Sequence, residues 1–364
     1  MLTRVAVLVA ILVCSSHRVA AAIDADDIVN GIRASESLFE DFEATLHTTY
    51  TLLRDPYEFV GENTREITHS HSVVTYTLQQ GMFRLEVEKA VTDTSGDTPR
   101  TQNRLRLFDG IESRAKEGRV VNLVDGFTND ANLVRPHMMI VQAAAYDVPL
   151  SIYLSGKEAI LAFAGEKAIG NTRISIDYEG EDRIEGYKCH ELVCRHSNIS
   201  TGAVASVVHL WLVPDRSWLP IRCVVFDPRR SESRSIYESA TTEFLEVGPS
   251  IWIPKRARCT AFDKRIVQSR AEQVAVWQQT CTVKSCNLNP NHPVSYFREF
   301  DIPAGTAVYQ LDLNGEIVGS HRERAISSRW QAPIWPLLLL GGAVFGLFAF
   351  LFWRKCSWAA GASR

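Results

Sequence analysis

The side chains able to do chemistry here are histidines, cysteines and carboxylates, and their spacing limits what they can do. His69-Ser70-His71 places two imidazoles at positions i and i+2. In an extended strand those positions share a face, so both rings can reach one metal ion. No third ligand stands nearby, and the Thr/Ser-rich setting reads as a solvated strand edge. His190, His196 and His209 gather only if adjacent strands bring them together, which nothing in their spacing demands. Asp301 and Asp312 sit in turn contexts and read as structural. No nucleophile elbow, phosphate-binding loop, dinucleotide fingerprint or H-E-x-x-H motif is present. These residues assign no catalytic group, no metal site and no cofactor, and the chain reads as a non-enzyme. Asn198-Ile199-Ser200 is a glycosylation sequon, which has meaning only in a eukaryotic secretory pathway.

Cysteine chemistry depends on compartment, and the two ends of the 364-residue chain point to an exported domain. Arg4, the apolar run Val5 to Val13, and Ala20-Ala21-Ala22 have the order of a signal peptide with an A-x-A cleavage site, over residues 1–22. Cys14 follows Val13 where a bacterial lipobox needs a small residue. Ile334 to Trp353 carries no charge, is edged by Trp335 and Trp353, and is followed by Arg354-Lys355. About 20 such residues cover the roughly 30 Å of a bilayer core, so the pattern predicts a transmembrane helix with 354–364 as a cytoplasmic tail. The expected location is the cell inner membrane, single-pass, with the large domain on the periplasmic side. Six cysteines fall in that domain: Cys189, Cys194, Cys223, Cys259, Cys281 and Cys286. An even number in an oxidising compartment predicts at least one disulfide. The five basic residues of the end segments have no acidic counterpart there, so the domain is more acidic than the whole chain's net charge of −3. An acidic surface repels phosphate backbones, so nucleic acid is not an expected partner.

The elements that must position any site follow from hydrophobic periodicity. Asp24 to about Leu46 has Ile28, Ile32, Phe39, Phe42 and Leu46 near a 3.6 period, which predicts a leading helix capped by Asp24, Asp26 and Asp27. Leu46 to Leu53 is Thr-rich and reads as a strand. Val73 to Leu78 and Met82 to Val87 form a hairpin turning at Gln79-Gln80-Gly81. Leu105 to Phe108 runs as a strand into the Asp109-Gly110 turn. A helical insertion occupies Asn132 to Ile160, beginning at Arg135-Pro136 and interrupted at Pro149. Its apolar run exceeds one amphipathic face, so it is buried or covers something apolar. Strands then return at Thr172–Tyr178, Tyr187–Cys194, Ser206–Val213, Ile221–Phe226, Ile236–Glu246, Ile253–Phe262, Gln273–Val283 and Tyr296–Asp301. A last hairpin, Ala307–Leu311 with Glu316–Val318, turns at Asn314-Gly315. Short connections favour an antiparallel meander.

The segment Ile184-Glu185-Gly186-Tyr187-Lys188-Cys189-His190-Glu191-Leu192 resembles the strand that opens the second half of the outer-membrane lipoprotein-sorting proteins (LolA/LolB-like). Leu210-Trp211-Leu212-Val213-Pro214-Asp215-Arg216, Leu219-Pro220-Ile221-Arg222 and Ile251-Trp252-Ile253-Pro254-Lys255 are similar to later phrases of that family. The likeness covers roughly Asp24 to Phe300. It implies a mainly β (α+β) fold: an unclosed, curved antiparallel half-barrel covered by helices over an apolar cavity. Members carry acyl chains, or sense lipids and misfolded peptides. The anchor, the final hairpin and the six cysteines depart from the pattern. The expected layout is a half-barrel domain over 23–300, a hairpin and juxtamembrane linker over 301–333, and the span 334–353.

The implied function is a membrane-anchored periplasmic binding protein that holds a lipid or acyl chain, free or on an acylated protein. The alternative is an envelope sensor or scaffold that binds another envelope protein. Period 2 puts Phe83, Leu85 and Val87 on one strand face, expected to be the interior one. The insertion adds Met138, Met139, Ile140 and Val141, and unbranched Met suits a wall that fits variable chains. These seven residues are the candidate ligand-binding set, with Phe83, Leu85, Met138 and Met139 lining a cavity under a movable helix.

Overall fold

A computed structural model of the chain describes residues 24–54, 67–93, 100–126, 135–141, 148–165, 169–269, 272–312 and 315–323. The signal segment 1–22 and the span 334–353 lie outside the described residues.

Helix α1 (Ala25–Ser37) starts where the sequence places it. The Asp24 carboxylate accepts from the Asp27 backbone N–H at 2.8 Å, and Asp27 returns the bond at 3.3 Å, a reciprocal cap. The helix stops at Ser37, short of the expected Leu46. Strand β1 (Phe42–Leu52) begins instead, with Phe42, Ala44 and Leu46 buried alternately. Those residues fit period 2 as well as period 3.6, and the Thr-rich continuation settles the matter for the strand.

Two antiparallel meanders make one sheet. The first holds β1, β2 (Ile67–Gln79), β3 (Met82–Asp93), β4 (Arg100–Phe108), β5 (Glu112–Glu117) and β6 (Val120–Asp125). The β2–β3 turn uses Gln80 and Gly81 at φ 51° and 76°, the two positive values a tight hairpin of matching twist requires. The second holds β7 (Thr172–Ile184), β8 (Tyr187–Asn198), β9 (Val204–Val213), β10 (Leu219–Phe226), β11 (Ser235–Gly248), β12 (Ile251–Phe262) and β13 (Ala275–Leu288). Antiparallel pairing of β1 with β13 fuses the two. The last hairpin, β14 (Ala307–Leu311) and β15 (Ile317–Arg322), joins through a parallel β14–β6 contact. The order of the 15-stranded sheet runs from β15 through β14, β6 and on to β1, then β13 down to β7, so it is unclosed. Laid flat at about 4.8 Å per strand, β3 and β8 would stand nearly 40 Å apart. Yet Phe83 and Leu85 of β3 and Leu192 and Cys194 of β8 belong to one buried cluster, so the sheet curves around a shared interior.

Because β6 and β7 lie at opposite ends of the fused meanders, the chain between them crosses the concave side. That crossing is the helical insertion: α2 (Met138–Val141), α3 (Leu150–Leu154) and α4 (Lys157–Ala164). Helix α2 packs on β10, β11 and β12, while α1 and α4 pack on β7. Two further short helices follow, the second in place of an expected strand. Helix α5 (Lys264–Ser269) is started by the Asp263 carboxylate, which accepts from the Arg265 and Ile266 N–H groups. Helix α6 (Val294–Arg298) stands where Tyr296–Asp301 read as a strand. It packs on β3 and β4, and Arg84 donates to its Tyr296 carbonyl at 2.6 Å.

Two expectations are corrected. The fold class does not include a transmembrane helix within the described structure. Among the described residues no helix is long and apolar enough to cross a membrane. The longest, α1, has 13 residues, about 20 Å at 1.5 Å each against the roughly 30 Å required. The expected inner-membrane, single-pass location thus finds no membrane-crossing helix among the described residues, and the span 334–353 on which it rests lies outside them. The disulfide is the second: all six cysteines are free thiols. On the neighbouring strands β12 and β13, Cys259 faces Gln279 and Cys281 faces Ala257, a two-residue offset. Such diagonal neighbours stand about 7–8 Å apart, beyond the usual disulfide reach.

Candidate functional site

Residues paired across neighbouring strands point to the same side of a sheet, so the register traces the concave face residue by residue. Across β3, β2, β1 and β13 one row reads Leu85, Tyr76, Ala44, Cys286, and the next reads Val87, Val74, Leu46, Val283. Two residues further along the strands the row becomes Lys89, Ser72, Thr48, Cys281, and then Val91, Ser70, Tyr50, Gln279. The wall therefore changes from apolar to hydrogen-bonding along the strand direction.

A cavity of about 340 Å³ stands on this wall, bounded on one side by Met138 and Met139 of α2. That size lies within the range of small-ligand sites, roughly 300–1,000 Å³. Its apolar part is Leu46, Val74, Leu85 and Val87 with the two methionines, and Cys259 and Cys281 add their thiols. Its polar part is Thr48, Tyr50, Ser70, Ser72 and Gln279, with Lys89 and Arg104 as its charged groups.

Of the seven residues expected to bind ligand, Leu85, Val87, Met138 and Met139 line this cavity together. Phe83, Ile140 and Val141 do not. Phe83 is buried against Phe108, with ring centroids 6.1 Å apart. Ile140 and Val141 are fully buried in the core. The Ile140 carbonyl accepts from Ser239 Oγ at 2.5 Å, and the Met139 carbonyl accepts from Cys259 Sγ at 3.5 Å, which ties α2 to β11 and β12. The sequence missed Lys89, Ser72, Thr48 and Gln279. Extending the period-2 row of Phe83, Leu85 and Val87 by one step would have reached Lys89.

The cover is held by a polar latch. Glu36 of α1 accepts from the Leu150 N–H at 2.7 Å and from Ser151 Oγ at 2.5 Å. His137, directly before α2, places Nδ1 3.4 Å from Glu36, while Nε2 accepts from the Leu150 N–H at 3.1 Å. Burial, only partly offset by Glu36 and reinforced by Arg135, holds the His137 pKa down at about 4. The ring is therefore neutral.

The other histidines do not converge. His196 contacts Tyr153 Oη at 2.7 Å and Ser206 Oγ at 2.8 Å, and burial lowers its pKa to about 4. His190 contacts Tyr178 Oη at 2.8 Å, whereas His209 pairs with Glu191 at 2.7 Å from the opposite face. His69 and His71 are exposed, and His71 faces His47 at 5.5 Å between rings. Among the described residues no three His, Cys, Asp or Glu side chains are grouped to hold a metal ion.

No family model matches the chain, and no curated protein matches it. Solved structures do. A DUF1329 family protein from Desulfovibrio piger is 10% identical, with 75% of this chain and 97% of that chain covered at a TM-score of 0.38. A domain from Vibrio parahaemolyticus described as an outer membrane lipoprotein-sorting protein is 9% identical over 75% and 97%, with a TM-score of 0.36. A LolA superfamily protein from Nitrosomonas europaea is 13% identical over 76% and 99%, with a TM-score of 0.35. The lipoprotein-sorting group that the sequence resembles is thus among the structural neighbours. At these TM-scores the likeness carries nothing about what this chain binds, and the site is read from its own geometry.

Proposed function

We propose that this domain is a binding protein that holds a lipid or acyl chain, free or carried by an acylated protein, in the cavity between α2 and the β1–β3 wall. The observation behind this reading is the lining. Leu46, Val74, Leu85, Val87, Met138 and Met139 present a continuous apolar wall with room left over, where a filled core would leave none. The two methionines suit a wall that adapts to different chains. The test is displacement of a neutral fluorescent probe, 1-aminoanthracene, from the purified full chain by hexadecanol and hexadecanoate below their aggregation limits. Saturable one-to-one displacement by at least one is expected. No displacement by either, together with no acyl-containing molecule in a solvent extract of the purified protein, would refute the proposal.

A further inference from the structure

Among the described residues the charged groups lining the cavity are Lys89 and Arg104, both cationic, with no carboxylate beside them in that lining. This holds in a chain whose net charge is −3. Arg104 is exposed and paired with Glu117 at 2.7 Å. Lys89 is half-buried and makes no ion pair with any described residue. Its row-mates are the buried Ser72, then Thr48 and Cys281, and the following row offers buried Ser70, Tyr50 and Gln279. Ser72 stands on the strand beside Lys89, and the hydroxyl and amide groups of Ser70, Thr48, Tyr50 and Gln279 continue the same polar face across β2, β1 and β13, one strand step beyond the apolar rows. Two residues span about 7 Å along a strand, so a molecule lying along β3 passes from hydrocarbon wall to cation within a few bonds.

Resting on the proposed function, we infer that the cavity selects an anionic amphiphile: the tail lies against Leu46, Val74, Leu85 and the methionines, and a carboxylate or phosphate head sits at Lys89 among Ser72, Ser70 and Thr48. Burial and the neighbouring Arg104 charge lower the Lys89 pKa, the disfavoured state that a bound anion relieves. The chain's negative net charge repels anions at long range, so a preference for them would be local to this site.

The test compares heads on one tail. Hexadecanoate, hexadecyl phosphate, hexadecanol and hexadecyltrimethylammonium compete with 1-aminoanthracene on the full chain, and acetate and inorganic phosphate serve as heads without tails. The two anions should bind about tenfold tighter than hexadecanol, equivalent to about 1.4 kcal/mol. Added salt should shrink that margin, and the tailless ions should not compete. Competition by the tailless ions at similar concentration would show a free-anion site and overturn the amphiphile inference. Lys89→Met should bring the affinities for the two anions down to that for hexadecanol measured on the same variant, and Lys89→Arg should keep the preference. If Lys89→Met does not fold, the wild-type head series and its salt dependence decide alone. Equal binding of all four amphiphiles overturns this inference and leaves the proposed function standing. Binding of none overturns both.

Discussion

Lowering the pH should destabilise the domain well before its carboxylates protonate, because two buried histidines are held neutral. His137 Nε2 accepts from the Leu150 N–H, so a proton placed there would set two donors against each other. Burial lowers the folded-state pKa of His137, and of His196, to about 4 against 6.5 when exposed. The unfolded chain therefore binds protons more readily than the folded one. The contribution is fully present above pH 6.5 and is lost as pH falls toward 4. At pH 5 the loss is about 2 kcal/mol per histidine, about 4 for the pair, a large part of a typical 5–15 kcal/mol stability. His190, lowered by burial, adds in the same direction. Asp109 lies outside the window. Burial raises its pKa, but backbone N–H groups of Glu112 and Ile111 and the Arg298 and Arg114 side chains bring it down to about 2. The assay is urea unfolding followed by Trp fluorescence at pH 7.5, 6.5, 5.5 and 5.0. His137→Gln, whose amide can still accept from Leu150, should remove close to half the slope. A stability unchanged between pH 7.5 and 5, or a slope unaltered in a His137→Gln/His196→Gln variant, would refute the reasoning.

Three other outcomes are expected. Met138 is 1% exposed, so Met138→Ala should cost about 2–5 kcal/mol in urea unfolding, whereas Met139→Ala, 9% exposed, should mainly weaken probe binding; equal stability losses would place both in the core alone. Burial raises the thiol pKa of Cys194 and Cys281 to about 12 and of half-buried Cys286 to about 11. At pH 8 iodoacetamide should therefore spare the folded protein, with Cys286 first to react, and should label all six cysteines after non-reducing denaturation; any of the six that stays unlabelled then would contradict the free thiols. A Cβ at Gly31 would stand 2.3 Å from Trp218 Nε1, and Trp218 is fixed at φ 55°, so Gly31→Ala should lower stability by about 1–3 kcal/mol despite its better helix propensity; a raised melting temperature would show that the ring moves freely.

The strand pattern was legible because a curved sheet with one buried face writes period 2 into its sequence, and Phe83, Leu85 and Val87 show it directly. The same period hid the end of α1. Phe42 and Leu46 satisfy both a helix and a strand, and only the Thr-rich residues after them distinguish the two. Sequence also could not show that the last hairpin reaches β6, since a parallel pairing across nearly two hundred residues leaves no local mark. The site divides along the same line. Methionines and leucines in periodic rows mark an apolar wall, and four of the seven named residues meet there. Ser72 and Thr48 stayed hidden because they read in sequence as solvent-facing residues and only the register brings them onto the concave face, whereas Lys89 lies one period-2 step beyond Val87. Since Lys89 continues the parity of Phe83, Leu85 and Val87, the cavity wall's polarity changes without any change in direction of the strand. That change is what makes an amphiphile, rather than a plain hydrocarbon, the better chemical match for the space.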